Sequence, residues 1–246
     1  MAVLIVGGVK GVGLAIARRF AAKGRDLFLA YRADSGAANR ACAEIAALGG
    51  RPHAIQADVG TPEGARDLIR QVAEQTDRLD LIVHGAVTAL AGPLLGLDPA
   101  AFAQAILVNG ASLVFLVQAA QPLIRRGTSI VFLSSRGSRQ IVPNYGTVGA
   151  GKALAESLMR YLVPELAPLG VRINAIAPGT LDTEAVRQLF GEGTDGFLAS
   201  EAAGNPSGRN IAHDDYVGLV EFLAGPEASM IQGQVVFVNG GQYVIA

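Results

Sequence analysis

The 246-residue sequence contains a single cysteine, and this scarcity excludes two classes of protein. Cys42 has no partner for an internal disulfide, so a fold held together by disulfides is excluded. A lone thiol also excludes a thiolate-rich metal centre. The three histidines stand apart from one another, without the carboxylate-histidine spacing typical of a metal site. We therefore expect no bound metal.

Charged residues are also scarce, because they make up 17% of a chain that is 50% hydrophobic. The 20 basic and 21 acidic residues leave a net charge of -1. This balance provides no overall field that would attract nucleic acid or an anionic membrane. The first residues lead directly into a predicted strand, without the basic region and cleavage site of a signal peptide. We expect a cytoplasmic protein without nucleic-acid or membrane partners.

The longest run without charge, residues 99–124, is long enough to cross a bilayer. Its polar side chains, which would be costly in hydrocarbon, are Gln104, Asn109, Ser112, Gln118 and Gln121. We therefore predict a buried helix instead of a membrane span. Together with a second charge-poor helix predicted at 145–166, we expect it to join subunits of a homo-oligomer, a dimer or a homotetramer.

Seven short β-rich runs alternate with helical patterns along the chain. The predicted strands are 3–6, 27–31, 53–55, 81–83, 129–133, 171–176 and 235–238. The predicted helices are 14–23, 36–48, 62–75, 100–124 and 150–166. Strands separated by helices form right-handed crossovers. The pattern predicts one α/β domain over 1–246: a Rossmann-type, doubly wound, seven-stranded parallel sheet with helices on both faces, in three layers.

Residues 190–210 interrupt this alternation, because they are rich in Gly, Ser, Ala and Asn. A connection of this length usually has a function. We predict that an insertion at about 184–212 is a substrate loop that closes over a site as a lid. The alternative is a surface excursion without a function.

A glycine-rich turn follows the first predicted strand and opens a helix. It contains Gly7, Gly11, Val12 and Gly13. Glycine permits a tight turn and lets the backbone approach a pyrophosphate, while the helix N-terminus offers free N–H groups to the phosphates. In this strand-to-helix context the turn predicts a dinucleotide site.

The end of the second predicted strand should decide between the two nicotinamide cofactors. Enzymes that use NAD place a carboxylate there, about 20 residues after the glycines, to bind the ribose hydroxyls. This sequence has Tyr31-Arg32 at that place, so no acid would repel a 2′-phosphate. Arg32 and Lys10 could hold the phosphate by charge-assisted hydrogen bonds. NADPH/NADP+ is the predicted cofactor, and the alternative is that both cations are ordinary surface residues.

The spacing of Gly7, Gly11 and Gly13 resembles the Gly-x3-Gly-x-Gly pattern of the short-chain dehydrogenases/reductases. Four residues resemble the catalytic set of this superfamily: Asn109, Ser135, Tyr145 and Lys152. The resemblance implies that the tyrosine donates a proton to the substrate and the serine positions it. It also implies that the lysine lowers the pKa of the tyrosine and binds the nicotinamide ribose, while the asparagine supports a proton relay.

The resemblance implies further cofactor contacts at the ends of other strands. The family holds adenine at the place of Asp58 and Val59. The segment that holds the nicotinamide carboxamide resembles Pro178, Gly179 and Thr183. A further contact is implied at Ala86, which follows the fourth predicted strand.

Two segments depart from the family pattern. Val6 replaces a threonine that usually precedes the glycines, which removes a turn-stabilising hydrogen bond. The segment 84–87 reads His-Gly-Ala-Val where the family usually has Asn-Asn-Ala-Gly, which removes hydrogen bonds that shape the adenosine site. We predict a structural role for His84, with a pH-sensitive group beside the cofactor as the alternative.

The spacing of Tyr145 and Lys152 departs from the commonest pattern of the superfamily. The usual Tyr-x3-Lys would require a tyrosine at Val148. Because positions i and i+7 share a helix face, we expect Tyr145 and Lys152 to face one pocket. The phenol would be displaced along the helix by about 4.5 Å, three residues of about 1.5 Å each.

This displacement has a chemical meaning. When hydride goes to the β-carbon of an enoyl thioester, negative charge develops on an oxygen two bonds farther away, so its donor must move outward. The Tyr-x6-Lys spacing, with the segments 144–162 and 230–241, resembles enoyl-acyl-carrier-protein reductase III. The resemblance implies NADPH-dependent reduction of an enoyl thioester, delivered by acyl carrier protein, in fatty-acid or polyketide metabolism. The alternatives are a 3-oxoacyl or polyketide ketoreductase and a catalytically impaired NADP(H)-binding protein.

Overall fold

The computed structural model describes residues 1–22 and 24–242. Its strands form one seven-stranded sheet in the order β3-β2-β1-β4-β5-β6-β7, and every neighbouring pair is parallel. The strands are β1 (Ala2–Val6), β2 (Asp26–Tyr31), β3 (Arg51–Gln56), β4 (Leu79–His84), β5 (Ile124–Leu133), β6 (Arg172–Pro178) and β7 (Val235–Val238). The predicted doubly wound α/β fold is confirmed.

Helices cover both faces of the sheet, as parallel strands require. They are α1 (Gly11–Ala21), α2 (Ser35–Ala47), α3 (Pro62–Ala73), α4 (Pro99–Ile106), α5 (Ser112–Ala120), α6 (Gly146–Leu166), α7 (Glu184–Phe190), α8 (Thr194–Ala203) and α9 (Asp214–Ala224). Alternate residues of β1 serve the two layers: Leu4 packs with α3, α5 and α6, while Ile5 packs with α1, α2 and α9. Full burial of each such side chain contributes about 1.5–3 kcal/mol.

The strand order reverses at β1, which pairs with β2 on one side and β4 on the other. Gly7 N–H donates to the Ala30 carbonyl at 2.9 Å, and Gly85 N–H donates to the Val6 carbonyl at 2.8 Å. These two hydrogen bonds continue the pairing of β1 with β2 and of β4 with β1 just beyond the carboxyl ends of the strands. Ligands of open α/β sheets bind in the crevice at this reversal.

The helix predicted over 99–124 is wrong in its last part. It consists of α4, a π-helical turn at Leu107–Ala111, and α5, which ends at Ala120. Ile124 already belongs to β5, which is longer than predicted and contains Gly127 with φ +94°. The absence of charge does not show where helix gives way to strand, but Pro122 does, because a helix usually ends at or before the residue that precedes a proline.

Residues Pro99–Ala120 are long and apolar enough to cross a membrane by length and composition alone. In the fold, α5 packs against α3 and α6 as a core helix. The polar side chains of Asn109 and Ser112 are completely buried and hydrogen-bonded within the protein. The absence of a membrane partner stays a prediction.

The insertion at 184–212 is largely helical, so the predicted long loop is wrong. Thr183 caps α7 by accepting a hydrogen bond from Val186 N–H at 3.3 Å. Gly191, with φ +54°, ends this helix, and α8 begins three residues later. The small residues of this segment suggested a loop. The alanines among them favour a helix instead, because alanine is a strong helix former.

Candidate active site

The glycine turn is built by close backbone contacts. A Cβ on Gly7 would lie 2.9 Å from the Gly85 carbonyl oxygen, and one on Gly13 would lie 2.1 Å from the Gly7 oxygen. Gly11 has φ +49°, and a Cβ there would meet only Thr183, at 3.8 Å. Gly11 therefore faces open space at the N-terminus of α1, where free N–H groups can bind a phosphate.

A cavity of about 520 Å³ lies at the carboxyl ends of the strands. It brings together residues from six strand ends that the sequence singled out separately. These are Gly7, Lys10, Gly11, Val12, Gly13, Arg32, Asp58, Val59, Ala86, Ser135, Tyr145, Lys152, Pro178, Gly179 and Thr183. A glycine cradle, with hydrogen-bonding groups distributed along the cleft, fits an extended dinucleotide.

Tyr145 lies in a turn immediately before α6, so its predicted place on the helix is wrong. Asn144 adopts φ +59°, and Tyr145 N–H donates to the Val142 carbonyl at 3.2 Å. The backbone of Tyr145 has φ -107° and the helix begins at Gly146. A turn of the preceding loop therefore brings the phenol to the cavity wall.

The Ser135 side chain lies near the hydroxyl of Tyr145 and acts on its pKa. Burial raises the pKa of Tyr145, while the Ser135 side chain and the charge of Arg136 oppose that rise. The ring packs against Gly137, where a Cβ would approach it to 2.6 Å. A neutral phenol in contact with a serine hydroxyl can donate a proton or stabilise an oxyanion.

Lys152 is the cation nearest to this phenol along α6. Its Nζ lies 4.5 Å from the centre of the Phe132 ring. Across residues 1–22 and 24–242, no hydrogen-bond acceptor contacts this nitrogen. Burial lowers the pKa of Lys152 to about 7. The ammonium therefore lines the cavity as a donor available to a ribose hydroxyl.

Val148 occupies the position at which the common family pattern has its tyrosine. Its side chain is buried and apolar, and it lines the same cavity. Tyr31 also lines the cavity, but it stands at the end of β2, on the far side of the glycine turn. Tyr145 is thus the phenol beside Ser135 in the cavity that Lys152 also lines.

Asn109 does not line the cavity, contrary to its predicted place among the catalytic groups. It is fully buried in the π-helical turn, and its amide bonds Thr88 N–H at 2.8 Å and the Thr88 carbonyl at 3.1 Å. It also donates to the Thr147 carbonyl at 3.3 Å. Asn109 is a positioning residue, because it joins the segment after β4 to the start of α6.

Glu156 is a functional residue that the sequence reasoning missed. Its buried carboxylate accepts hydrogen bonds from Ser134 at 2.5 Å and Ser138 at 2.6 Å, and Arg139 Nε lies 3.4 Å away. These bonds fix the segment that presents Ser135. The available signal was its position four residues after Lys152, which places both on one face of α6.

The adenosine end contains acids that the sequence analysis overlooked. Lys10 Nζ lies 2.6 Å from an Asp34 oxygen and 2.8 Å from a Glu184 oxygen. These hydrogen bonds raise the pKa of Lys10. Arg32 makes no ion pair with the described residues. The expectation that no acid stands here is wrong, and Arg32 is the better placed of the two cations to meet a 2′-phosphate.

Two further residues hold the walls of the cleft. The Asp58 carboxylate accepts a hydrogen bond from Gly60 N–H at 2.9 Å, which orders the turn after β3. His84 is completely buried, with Nε2 2.8 Å from the Ser112 hydroxyl. Burial, with the charge of Lys152, lowers the pKa of His84 to about 3. His84 therefore stays neutral at physiological pH, as its predicted structural role requires.

The sheet, the glycine turn and the cleft at the strand reversal define the dinucleotide-binding α/β class. A family model described as enoyl-(acyl carrier protein) reductase matches residues 7–242. The chain belongs to this family of short-chain dehydrogenases/reductases, which are oxidoreductases. Family membership supports an enoyl-reductase-like enzyme with a nicotinamide dinucleotide cofactor.

Similar proteins differ in cofactor and in acyl carrier. The 1-cyclohexenylcarbonyl-CoA reductase of Streptomyces collinus is 31% identical over 99% of this chain and 87% of that protein. A short-chain dehydrogenase of Burkholderia cenocepacia J2315, solved with NADP, has a TM-score of 0.88 and 31% identity, covering 98% of this chain and 97% of that one. Enoyl-[acyl-carrier-protein] reductase (NADH) of Aquifex aeolicus VF5 has a TM-score of 0.88 and 28% identity, covering 100% and 97%.

Proposed function

We propose that this chain is an NADPH-dependent reductase of the carbon-carbon double bond of enoyl thioesters. One observation carries the proposal: the phenol beside Ser135, in the cavity that Lys152 also lines, comes from position 145, ahead of α6, while position 148 holds a buried valine. A proton donor placed before the helix suits an oxyanion that lies beyond the carbon receiving hydride.

The residues divide the work as follows. A bound reduced nicotinamide would supply the hydride. Tyr145 donates its hydrogen bond to the thioester carbonyl oxygen as charge develops there, and Ser135 orients the phenol. Lys152 binds the nicotinamide ribose, and its ammonium favours charge on the phenol side of the cavity. Pro178, Gly179 and Thr183 would hold the carboxamide end of the cofactor.

The preference for NADPH over NADH rests on Arg32. Its guanidinium lines the cavity without an ion pair in the described residues, so it can bind a 2′-phosphate in a bidentate manner. The NADP complex of the similar Burkholderia protein supports this choice, whereas the Aquifex relative is named for NADH. Lys10 contributes less, because Asp34 and Glu184 offset its charge.

Carbonyl reduction is the second candidate, and the proximity of the Ser135 side chain to the Tyr145 hydroxyl favours it. A serine and a tyrosine that converge on one oxygen would polarise a ketone as well as an enolate. The purified protein with NADPH should be given crotonyl-CoA and, separately, acetoacetyl-CoA. We expect turnover of the crotonyl thioester. Turnover of the acetoacetyl thioester alone would refute the enoyl proposal, and cofactor binding without turnover of either would indicate an impaired NADP(H)-binding protein.

We further propose delivery of the substrate by acyl carrier protein in fatty-acid or polyketide metabolism, and assembly into a homo-oligomer. Apolar side chains that are partly exposed on the charge-poor helices support the assembly: Phe102 on α4 and Leu154 and Tyr161 on α6. Light scattering of the purified protein measures this directly. A monomer at micromolar concentration would contradict it.

A further inference from the structure

Helix α8 presents two side chains to the active site from one face. Phe197 and Glu201 are four residues apart, so they project from the same side of the helix. Phe197 lines the cavity, and Glu201 is buried. Arg136, which lies directly after Ser135, lines the cavity as well. The insertion thus reaches the residue next to the catalytic serine.

A buried ion pair makes this connection. An Arg136 guanidinium nitrogen lies 2.8 Å from Oε2 of Glu201, and the side chains are 16% and 8% exposed. Thr180 donates its hydroxyl to the same oxygen at 2.6 Å. Gln242 Nε2 donates to the same oxygen at 3.4 Å and to the Glu201 backbone carbonyl at 3.2 Å. The segments after β5, β6 and β7 therefore converge on one carboxylate of α8.

Phe197 forms a wall of the cavity together with α7. Its ring stacks on Phe190 with centres 4.0 Å apart and an interplanar angle of 12°. Both rings line the cavity, beside the apolar side chains of Val142, Val148 and Leu189. Two stacked aromatic rings bury a large apolar area. An acyl chain bound beside Tyr145 would meet this wall.

The other ion pairs of the insertion cannot fix α8 equally well. Arg187 pairs with Asp182 at 2.6 Å and Asp195 at 3.4 Å, but these three side chains are 51%, 50% and 85% exposed. Exposed pairs contribute little and are screened by salt. Loss of one partner of a buried pair instead leaves an uncompensated charge in the interior.

We propose that the Arg136–Glu201 ion pair holds α8 in place so that Phe197 limits the acyl compartment to short acyl groups. This inference rests on the proposed reduction of enoyl thioesters, and names the substrate class within it. Glu201 is a positioning residue, and Phe197 determines specificity. The pair also neutralises Arg136, so the compartment suits an uncharged acyl group.

Phe197→Ala tests the wall. The ratio of kcat/KM for dodecenoyl-CoA to that for crotonyl-CoA should rise by about tenfold or more in the variant, because apolar pocket contacts change discrimination by this order. Wild-type protein should favour the crotonyl thioester. An unchanged ratio, or equal use of both thioesters by the wild type, would overturn the inference while leaving the proposed function intact. Turnover of neither thioester by the wild type would refute the proposed function itself.

Glu201→Gln tests the ion pair without using a substrate. Hydrogen exchange of the α8 amides should accelerate by about tenfold or more, while exchange in α6 stays unchanged. Glu192→Gln is the matched control, because it removes the same charge from an exposed position of the insertion. Arg136→Lys serves if Glu201→Gln fails to fold, and it should accelerate α8 exchange less. Unchanged hydrogen exchange of α8 in the folded variant would overturn the proposal that the Arg136–Glu201 ion pair holds this helix in place.

Discussion

The two ends of the cavity hold their charges in different environments. At the adenosine end, Lys10, Asp34 and Glu184 form ion pairs with side chains 40%, 46% and 56% exposed. At the nicotinamide end, Lys152 and Glu156 are buried in the protein. Water and salt weaken the first set, whereas the interior strengthens each interaction of the second and penalises each loss. Substitutions at the adenosine end should therefore change the cofactor preference by small amounts. Substitutions at the nicotinamide end should change the reaction rate and the free energy of unfolding by large amounts.

The largest effect should come from the phenol of Tyr145, which lines the cavity. Tyr145→Phe should lower kcat by about 10²- to 10⁴-fold, because it removes the hydrogen-bond donor to the substrate oxygen. NADPH binding, measured by fluorescence titration, should persist. Tyr161→Phe is the matched control, because this α6 tyrosine does not line the cavity. Equal rates for wild type and Tyr145→Phe would show that the proton donor has been misassigned.

The buried lysine should give the next largest effect, visible as a pH dependence of stability. Burial lowers the pKa of Lys152 to about 7, from 10.5 in the unfolded chain. Between these values the unfolded state binds one more proton, so the free energy of unfolding should rise with pH by about 1.4 kcal/mol per pH unit. Lys152→Met should lack this contribution and should gain most stability relative to wild type near pH 6.

Urea unfolding of both proteins from pH 6 to pH 10 measures this difference. A difference between wild type and Lys152→Met that does not change with pH would show that the amine keeps its ordinary pKa despite burial. The matched control is Lys10→Met, because Lys10 is exposed and its pKa is raised, not lowered.

Removal of the buried carboxylate should come third. Glu156→Ala leaves the hydroxyls of Ser134 and Ser138 without their acceptor, so we expect a loss of about 3 kcal/mol in the free energy of unfolding. Glu63→Ala removes an exposed partner of Arg66 and should cost less than about 1 kcal/mol. Chemical denaturation compares the two variants. Similar losses of unfolding free energy in Glu156→Ala and Glu63→Ala would contradict the proposed contrast between buried and exposed charges.

The smallest effect should come from the exposed adenosine end. Arg32→Ala should raise the Kd of NADPH by about tenfold, the effect of losing one charge-assisted contact, and should leave the Kd of NADH nearly unchanged. Lys10→Ala should change the NADPH preference less, because its two carboxylate partners offset its charge. Equal losses for NADPH and NADH in Arg32→Ala would refute the 2′-phosphate contact.

Local patterns were sufficient where a short stretch of chain determines its own structure. The glycine turn could be located from the sequence because Gly7 and Gly11 adopt positive φ angles that other residues rarely accept. The strands could be located because burial on both faces produces nearly continuous apolar runs. The boundary between α5 and β5 was misplaced because a run without charge suits either element, although Pro122 marks the end of α5.

The candidate site was less accessible from the sequence where it depends on contacts between distant segments. Ser135, Tyr145 and Lys152 carried a recognisable spacing, but the turn that brings Tyr145 to the cavity depends on a single left-handed residue, Asn144. Neither Glu156 nor Glu201 belongs to a motif. Their importance comes from burial against partners 17 or more residues away.

The amino-acid sequence by itself determined the layered α/β fold and the glycine turn, because each follows from local backbone preference or hydrophobic periodicity. The residues of the candidate site were indicated by resemblance to a known superfamily. Only the tertiary structure decided which charges are buried, which acids neutralise Lys10, and how α8 reaches Arg136. The reason is that the strength of an electrostatic contact depends on distance and on exclusion from water. Both quantities exist only after segments far apart in the chain have packed together.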